Sequence, residues 1–203
     1  MSHKGEITMF DPQQALMDLM DRGGLFGEDE RREIASLIPI REAKRGELLM
    51  KEGEIYSRCY FVLKGLVRQF YEMEGEEKTT AFFSENQAVA SFTHYTMQKP
   101  SDHYLACVED SILVVGEFDV EPLMFEKYPA LEKLTRIMMG EDMAKTQERL
   151  SAFVTSSPEK PYLDFLETRP ELVQRVPLHQ IASYLGITPE SLSRIRKRLM
   201  KSE

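Results

Sequence analysis

LHQIASYLGITPESLSRIRKRLM, residues 178–200, is the stretch on which the architecture turns. Two helices crossing at a tight turn need a small residue at their closest approach, a residue able to take positive φ at the turn, and apolar side chains between them. Ala182 meets the first need, Gly186 the second, and Ile181, Leu185, Ile187, Leu192 and Ile195 the third. Thr188-Pro189-Glu190 then supplies a capping hydroxyl, a proline at the first helical position and an acid near the positive end of the helix dipole. The segment is therefore expected to form a helix-turn-helix whose second helix starts at Pro189.

With Leu192, Ile195 and Leu199 turned inward, helical spacing turns Glu190, Ser191, Ser193, Arg194 and Lys197 outward. That face suits a DNA major groove: Arg194 can pair with guanine O6 and N7, Glu190 can accept from cytosine N4, and Ser193 can serve base or phosphate. Thr188, Pro189, Glu190, Ser191, Ser193, Arg194 and Lys197 are the candidate DNA-binding residues, with His179, Arg196, Arg198 and Lys201 as candidate phosphate contacts. A helical hairpin with a basic solvated face would share the glycine turn, but it would not require the small residue, the cap and five apolar positions together.

Charge is distributed to match. The 203-residue chain has a formal net charge of -8, yet residues 171–203 hold six basic residues (Arg175, Arg194, Arg196, Lys197, Arg198, Lys201) against three acids. A basic end on an acidic body concentrates phosphate attraction at one place and discourages non-specific contact elsewhere.

Upstream, the texture changes twice. From Ile40 to Phe118 short runs rich in aromatic and β-branched residues alternate with Gly46, Gly53, Gly65 and Gly75; the clearest strands are 60–63, 66–71, 79–83, 104–108 and 112–115. Close-spaced strands without an intervening long helix imply an antiparallel sandwich or jelly roll. Glu28 to Ile38 reads as a short amphipathic helix, and Ala130 to Thr155 as a long one, on the order of 38 Å at 1.5 Å per residue. Its Leu131, Leu134 and Met138 have heptad spacing, which fits a short dimer seam or packing on the chain's own sheet. Ser156-Ser157-Pro158 stops that helix and starts another that runs to about Thr168. The expected fold class is α+β: an N-terminal antiparallel β jelly roll (1–127), a long central dimerisation helix (128–155) and a C-terminal helix-turn-helix domain (156–203) lacking most of a β wing.

At 42% hydrophobic and 30% charged the chain is a globular protein. No apolar run is long enough for a membrane span and MSHKGEITMF lacks a secretory signal, so the expected address is the cytoplasm. Cys59 and Cys107 form no CxxC pair and read as reduced, buried thiols. There is no GxSxG elbow, so the chain is expected not to be an enzyme.

These residues resemble the Crp/Fnr family of bacterial transcription regulators over nearly the whole chain. KRGELLMKEGE (44–54) with YFVLKGLVRQFY (60–71) is similar to the opening strands of the family's cyclic-nucleotide-binding-like β domain; IASYLGITPESLSRIRKRL is similar to its helix-turn-helix, with an E-x-x-S-R signature at Glu190, Ser193 and Arg194. The resemblance implies base contacts by those three residues on a TTGA-type half-site. It also implies a homodimer about the long helix, a palindromic operator on double-stranded DNA, and RNA polymerase as a further partner.

The effector does not carry over. Cyclic-nucleotide binders of this family hold the phosphate in a Gly-Glu … Arg-Ser/Thr-Ala cassette; here there is no glycine between Gly75 and Gly116, no arginine between Arg68 and Arg136, and the stretch reads SENQAVASFTHYTMQKP. The sequence thus speaks against cyclic AMP, and two cysteines speak against a four-thiolate iron-sulfur cluster. No cofactor is expected. Haem near His94, His103 and Cys107, another small ligand, or a β module acting through protein contacts are the alternatives. A cupin-type metalloenzyme would need clustered ligands, whereas His3, His94, His103 and His179 are scattered.

Overall fold

The turn-punctuated segment from Ile40 to Glu117 forms eight strands among the described residues: β1 Ile40–Ala43, β2 Leu48–Met50, β3 Arg58–Lys64, β4 Val67–Met73, β5 Glu76–Phe83, β6 Ala88–Val89, β7 Tyr104–Cys107 and β8 Ser111–Glu117. The computed structural model describes residues 10–22, 24–55, 57–89, 97–155 and 160–199. The strands pair antiparallel in two four-stranded sheets, ordered β1-β8-β3-β6 and β2-β7-β4-β5. Alternation puts Val62, Val67, Leu105 and Leu113 between the sheets, where they are buried together. The β domain is thus the expected jelly-roll-like sandwich.

One glycine is fixed by both conformation and space. Gly65, between β3 and β4, has φ +110°, and a Cβ there would lie 2.3 Å from Ser111 Oγ and 2.6 Å from Ser111 Cα. That closeness lets Ser111 Oγ accept the Leu66 N–H at 3.2 Å, satisfying a backbone donor inside the core.

Four helices cover the outer face of the first sheet: α1 Pro12–Asp21, α2 Glu28–Leu37, α3 Glu121–Lys127 and α4 Pro129–Thr155. The sequence reading had no helix at α1, although the signal was present: Asp11 caps it by accepting the N–H groups of Gln13 (2.9 Å) and Gln14 (3.2 Å), with Pro12 in the first turn. Leu16, Met20, Ile34, Phe61, Leu63 and Tyr128 form the core of this layer.

Leu134 belongs to the same core, with Leu131 and Met138 packed against it. Of the two readings of this heptad, packing on the chain's own sheet holds at these three positions. A long helix lying on a sheet spends its regular apolar stripe there, and among the described residues the large apolar side chains α4 leaves exposed are Ile137, Met143 and Leu150.

The rest of the chain is α5 Lys160–Thr168, α6 Leu172–Arg175, α7 Leu178–Tyr184 and α8 Pro189–Leu199. These helices do not stand apart from the β domain. Leu66, Phe82 and Val108, on the second sheet's side, share one hydrophobic core with Tyr162, Phe165, Leu172, Val176, Ile181 and Leu192. Among the described residues, no helix is long and apolar enough to cross a membrane.

Candidate nucleic-acid interface

The turn between α7 and α8 is built as the spacing requires. Gly186 has φ +68°, and the Ile187 N–H donates to the Ala182 carbonyl at 3.0 Å. Ala182 is fully buried at the crossing; Ile181, Leu185 and Leu192 are buried with it, and Ile187 and Ile195 are half-buried in the same cluster. Thr188 caps α8, its hydroxyl accepting the Ser191 N–H at 3.2 Å.

This frame decides which side chains reach solvent. Thr188, Pro189, Glu190, Arg194, Arg196, Lys197 and Arg198 are exposed along α8, while Ser191 and Ser193 are half-buried. Arg194 Nη2 donates to Ser191 Oγ at 3.2 Å, which steadies the guanidinium beside the helix. The Glu190 carboxyl is held below its usual range by its own backbone N–H, then the Thr188 hydroxyl, then the Arg194 charge. It therefore stays an acceptor at neutral pH, as a partner for a base amino group must. His179 is exposed on α7. Lys201 lies outside the described residues.

One member of the basic end is not available for phosphate. Arg175 turns back onto the β domain: its Nη2 lies 2.6 Å from Glu109 Oε1 and 2.9 Å from Glu85 Oε1, its Nη1 donates to Glu85 Oε2 at 3.0 Å, and Nη2 also donates to the Gly65 carbonyl at 2.9 Å. The two acids push the arginine's pKa further up, Glu109 first. The outward basic set of the described residues therefore begins at Arg194.

Two further contacts seat the reader on the sheet. Ser183 Oγ donates to the Glu77 carbonyl and accepts the Thr79 N–H, each at 2.9 Å, so α7 is bonded to the backbone of β5. Arg169 Nη1 donates to the Phe82 carbonyl at 2.8 Å, and its Nη2 to Ser84 Oγ and Gln87 Oε1 at 3.1 Å each. Sequence reasoning missed this junction because its partners lie 66 to 110 residues apart, beyond any local pattern.

The junction carries a pH signature. Burial acts most strongly on Glu85 and raises its pKa, but hydrogen bonds from Arg175, the Gly65 N–H and its own backbone N–H, with the Arg175 charge, together outweigh it, and the net shift is downward from 4.5. A depressed carboxyl stabilises the fold fully above its unfolded pKa and loses that contribution as pH falls through the lower, folded value. Urea unfolding followed from about pH 7 to about pH 3 is expected to show the wild type losing more stability below pH 4.5 than Glu85→Gln does. Parallel curves would show that the pair contributes nothing.

The residues named for the haem alternative, His94, His103 and Cys107, belong to the β domain's stretch of the chain. His103 is buried, with Nδ1 2.7 Å from Asp102 Oδ1, so its ring is held within the fold; His94 lies outside the described residues, as does 90–96 of the stretch read for a phosphate clamp. Burial pushes the Cys107 thiol up to about 11, in keeping with an inert buried cysteine, whereas Cys59 is only half-buried. Among the described residues, no group of three or more His, Cys, Asp or Glu side chains is placed to hold a metal ion.

Comparison with known proteins agrees with this architecture. Residues 40–119 match the cyclic nucleotide-binding domain family. The chain is 25% identical over 188 residues to the anaerobic regulatory protein of Pasteurella multocida, covering 86% of this chain and 68% of that protein. It is 27% identical over 172 residues to the fumarate and nitrate reduction regulatory protein of Yersinia pestis, covering 78% and 68%. In fold it is similar to FixK2 from Bradyrhizobium japonicum, with a TM-score of 0.65 at 17% identity over 81% of this chain and 85% of that one.

Proposed function

We infer that this chain, a member of the Crp/Fnr family, is a transcription regulator that reads double-stranded DNA with α8. The observation that carries the reading is the capped, amphipathic α8, which buries Leu192 in the reader's core and leaves Glu190, Arg194 and Lys197 exposed along one helix. Glu190, Ser193 and Arg194 are the proposed base contacts, helped by Thr188, Pro189, Ser191 and Lys197. Arg196, Arg198, Lys201 and His179 are the proposed phosphate contacts.

A homodimer would present two such helices to a palindrome with half-sites about one helical turn, roughly 34 Å, apart. Ile137, Met143 and Leu150 are large apolar residues that α4 leaves exposed, and a second copy would cover them. RNA polymerase is the partner through which a bound regulator would act.

Affinity for a TTGA-type palindrome is expected to fall steeply with salt, because each neutralised phosphate releases counterions. Arg194→Ala should weaken operator binding by about 1–3 kcal/mol and relax preference at one base pair per half-site. Weakened binding with unchanged base preference would reassign Arg194 to phosphate.

A further inference from the structure

Between the outer face of the first sheet and the helices that cover it lies a pocket of about 420 Å³. That volume is within the range of small-molecule sites, roughly 300–1,000 Å³. The space exists because the sheet carries small residues there. Cys59, Ala88 and Gly116, on β3, β6 and β8, line the pocket, and Cys59 stands opposite Gly116 in register. The glycine cannot be enlarged to close it, since a Cβ at 116 would lie 2.5 Å from Cys59 Sγ. The next pair on the same face, Phe61 and Val114, is large and packs into the core of this layer.

The helices raise apolar walls around that floor: Leu16 and Met20 from α1, Met124 from α3, and Leu131 and Met138 from α4. Unbranched thioethers change rotamer readily, so the three methionines let the space adapt to an occupant. Leu37 and Val120 also line it and are 49% and 44% exposed, apolar surface that an occupant would take out of water. Of the stretch read for a phosphate clamp, Ala88 alone lines the pocket among the described residues.

The charges on the lining have one sign. Glu117 and Glu121 belong to it, and among the described residues no lysine, arginine or histidine does. A carboxylate or phosphate ligand would therefore meet two acids and no cation, and an anion taken out of water without a counter-charge is costly. An ammonium would find Glu117 already paired, at 3.5 Å, with Arg58 and would exchange water for walls that are otherwise apolar. A hydroxyl group can donate to a carboxylate while adding no charge. We propose that this pocket binds a neutral aliphatic alcohol. Its chain lies over the small residues of the sheet, and its hydroxyl donates to the edge formed by Glu117 and Glu121.

The test is displacement of N-phenyl-1-naphthylamine, an uncharged dye that brightens in apolar sites, from the full chain without DNA. 1-Octanol is expected to displace it with a Kd of about 1 mM or tighter. Each methylene added from 1-hexanol to 1-octanol should tighten binding about fourfold. Octanoate and octylammonium should each bind about tenfold or more weakly than 1-octanol. Thr135 lies half-buried on the α4 wall, so Thr135→Phe should fill the pocket and weaken 1-octanol about tenfold or more. Thr135→Val, of nearly the same shape, should bind as the wild type does, and both variants should keep its circular dichroism spectrum. If Thr135→Phe does not fold, the alcohols and their charged analogues still decide the question. No displacement by any alcohol, octanoate binding as well as 1-octanol, or a folded Thr135→Phe that binds like the wild type would each overturn the proposal. Absence of alcohol binding in a dimer that Thr135→Phe dissociates would give the pocket to a second copy of the chain instead. Since DNA is absent, the result is independent of whether α8 reads an operator.

Discussion

Phe82→Ala is expected to destabilise the whole chain by about 3–5 kcal/mol, the range for deleting a fully buried aromatic ring. The ring is 1% exposed on β5, in the cluster that joins Leu66 and Val108 to Tyr162, Phe165 and Ile181. It also stacks at a tilt against Tyr184 of α7, with centroids 5.3 Å apart. Its removal opens a cavity at the seam of sheet and reader, where neither side can collapse without moving the other. Urea unfolding monitored by circular dichroism should show a lower midpoint for the strand and helix signals alike. A loss below about 1 kcal/mol would mean that the ring holds no shared core.

Arg175→Met is expected to cost about 3 kcal/mol, near the lower end for breaking a buried ion pair because the arginine side chain is 24% exposed. Most of that cost comes from what remains: Glu85 and Glu109 would face each other without a cation, and the Gly65 carbonyl would lose its donor. The prediction therefore has a second part. Adding Glu85→Gln and Glu109→Gln to Arg175→Met should recover a large share of the loss, because the uncompensated charges go with them. If the triple variant is less stable than Arg175→Met alone, the acids are not the source of the penalty. If Arg175→Met is as stable as the wild type, the fork contributes nothing to seating the reader.

Both predictions concern contacts that sequence patterns do not encode. The helix-turn-helix was readable because its determinants, Ala182, Gly186 and the Thr188 cap, act within a few residues of one another through backbone conformation and helical period. The strands with aromatic and β-branched runs were readable for the same reason, whereas β2 and β6, at three and two residues, are too short for alternation to declare them, and β1 interrupts its apolar positions with Arg41 and Glu42. At α4 the period was legible but its partner was not. Leu131, Leu134 and Met138 fit a seam with another chain as well as a seat on their own sheet, and only the position of the sheet separates the two. Arg175 shows the same limit for charge: six basic residues near one end look like one phosphate-binding set until one is found facing two acids.

The sequence by itself determined the reader: where it turns, which helix is capped, which side chains it buries, and that no glycine-and-arginine cassette stands beside β6. Tertiary structure alone decided how that reader is mounted, through Phe82, Arg169, Arg175 and Ser183. The reason is range. Helix periods, caps and positive-φ turns are settled by neighbours along the chain, whereas the partner of a buried ring or a forked arginine is whichever distant strand the fold delivers to it.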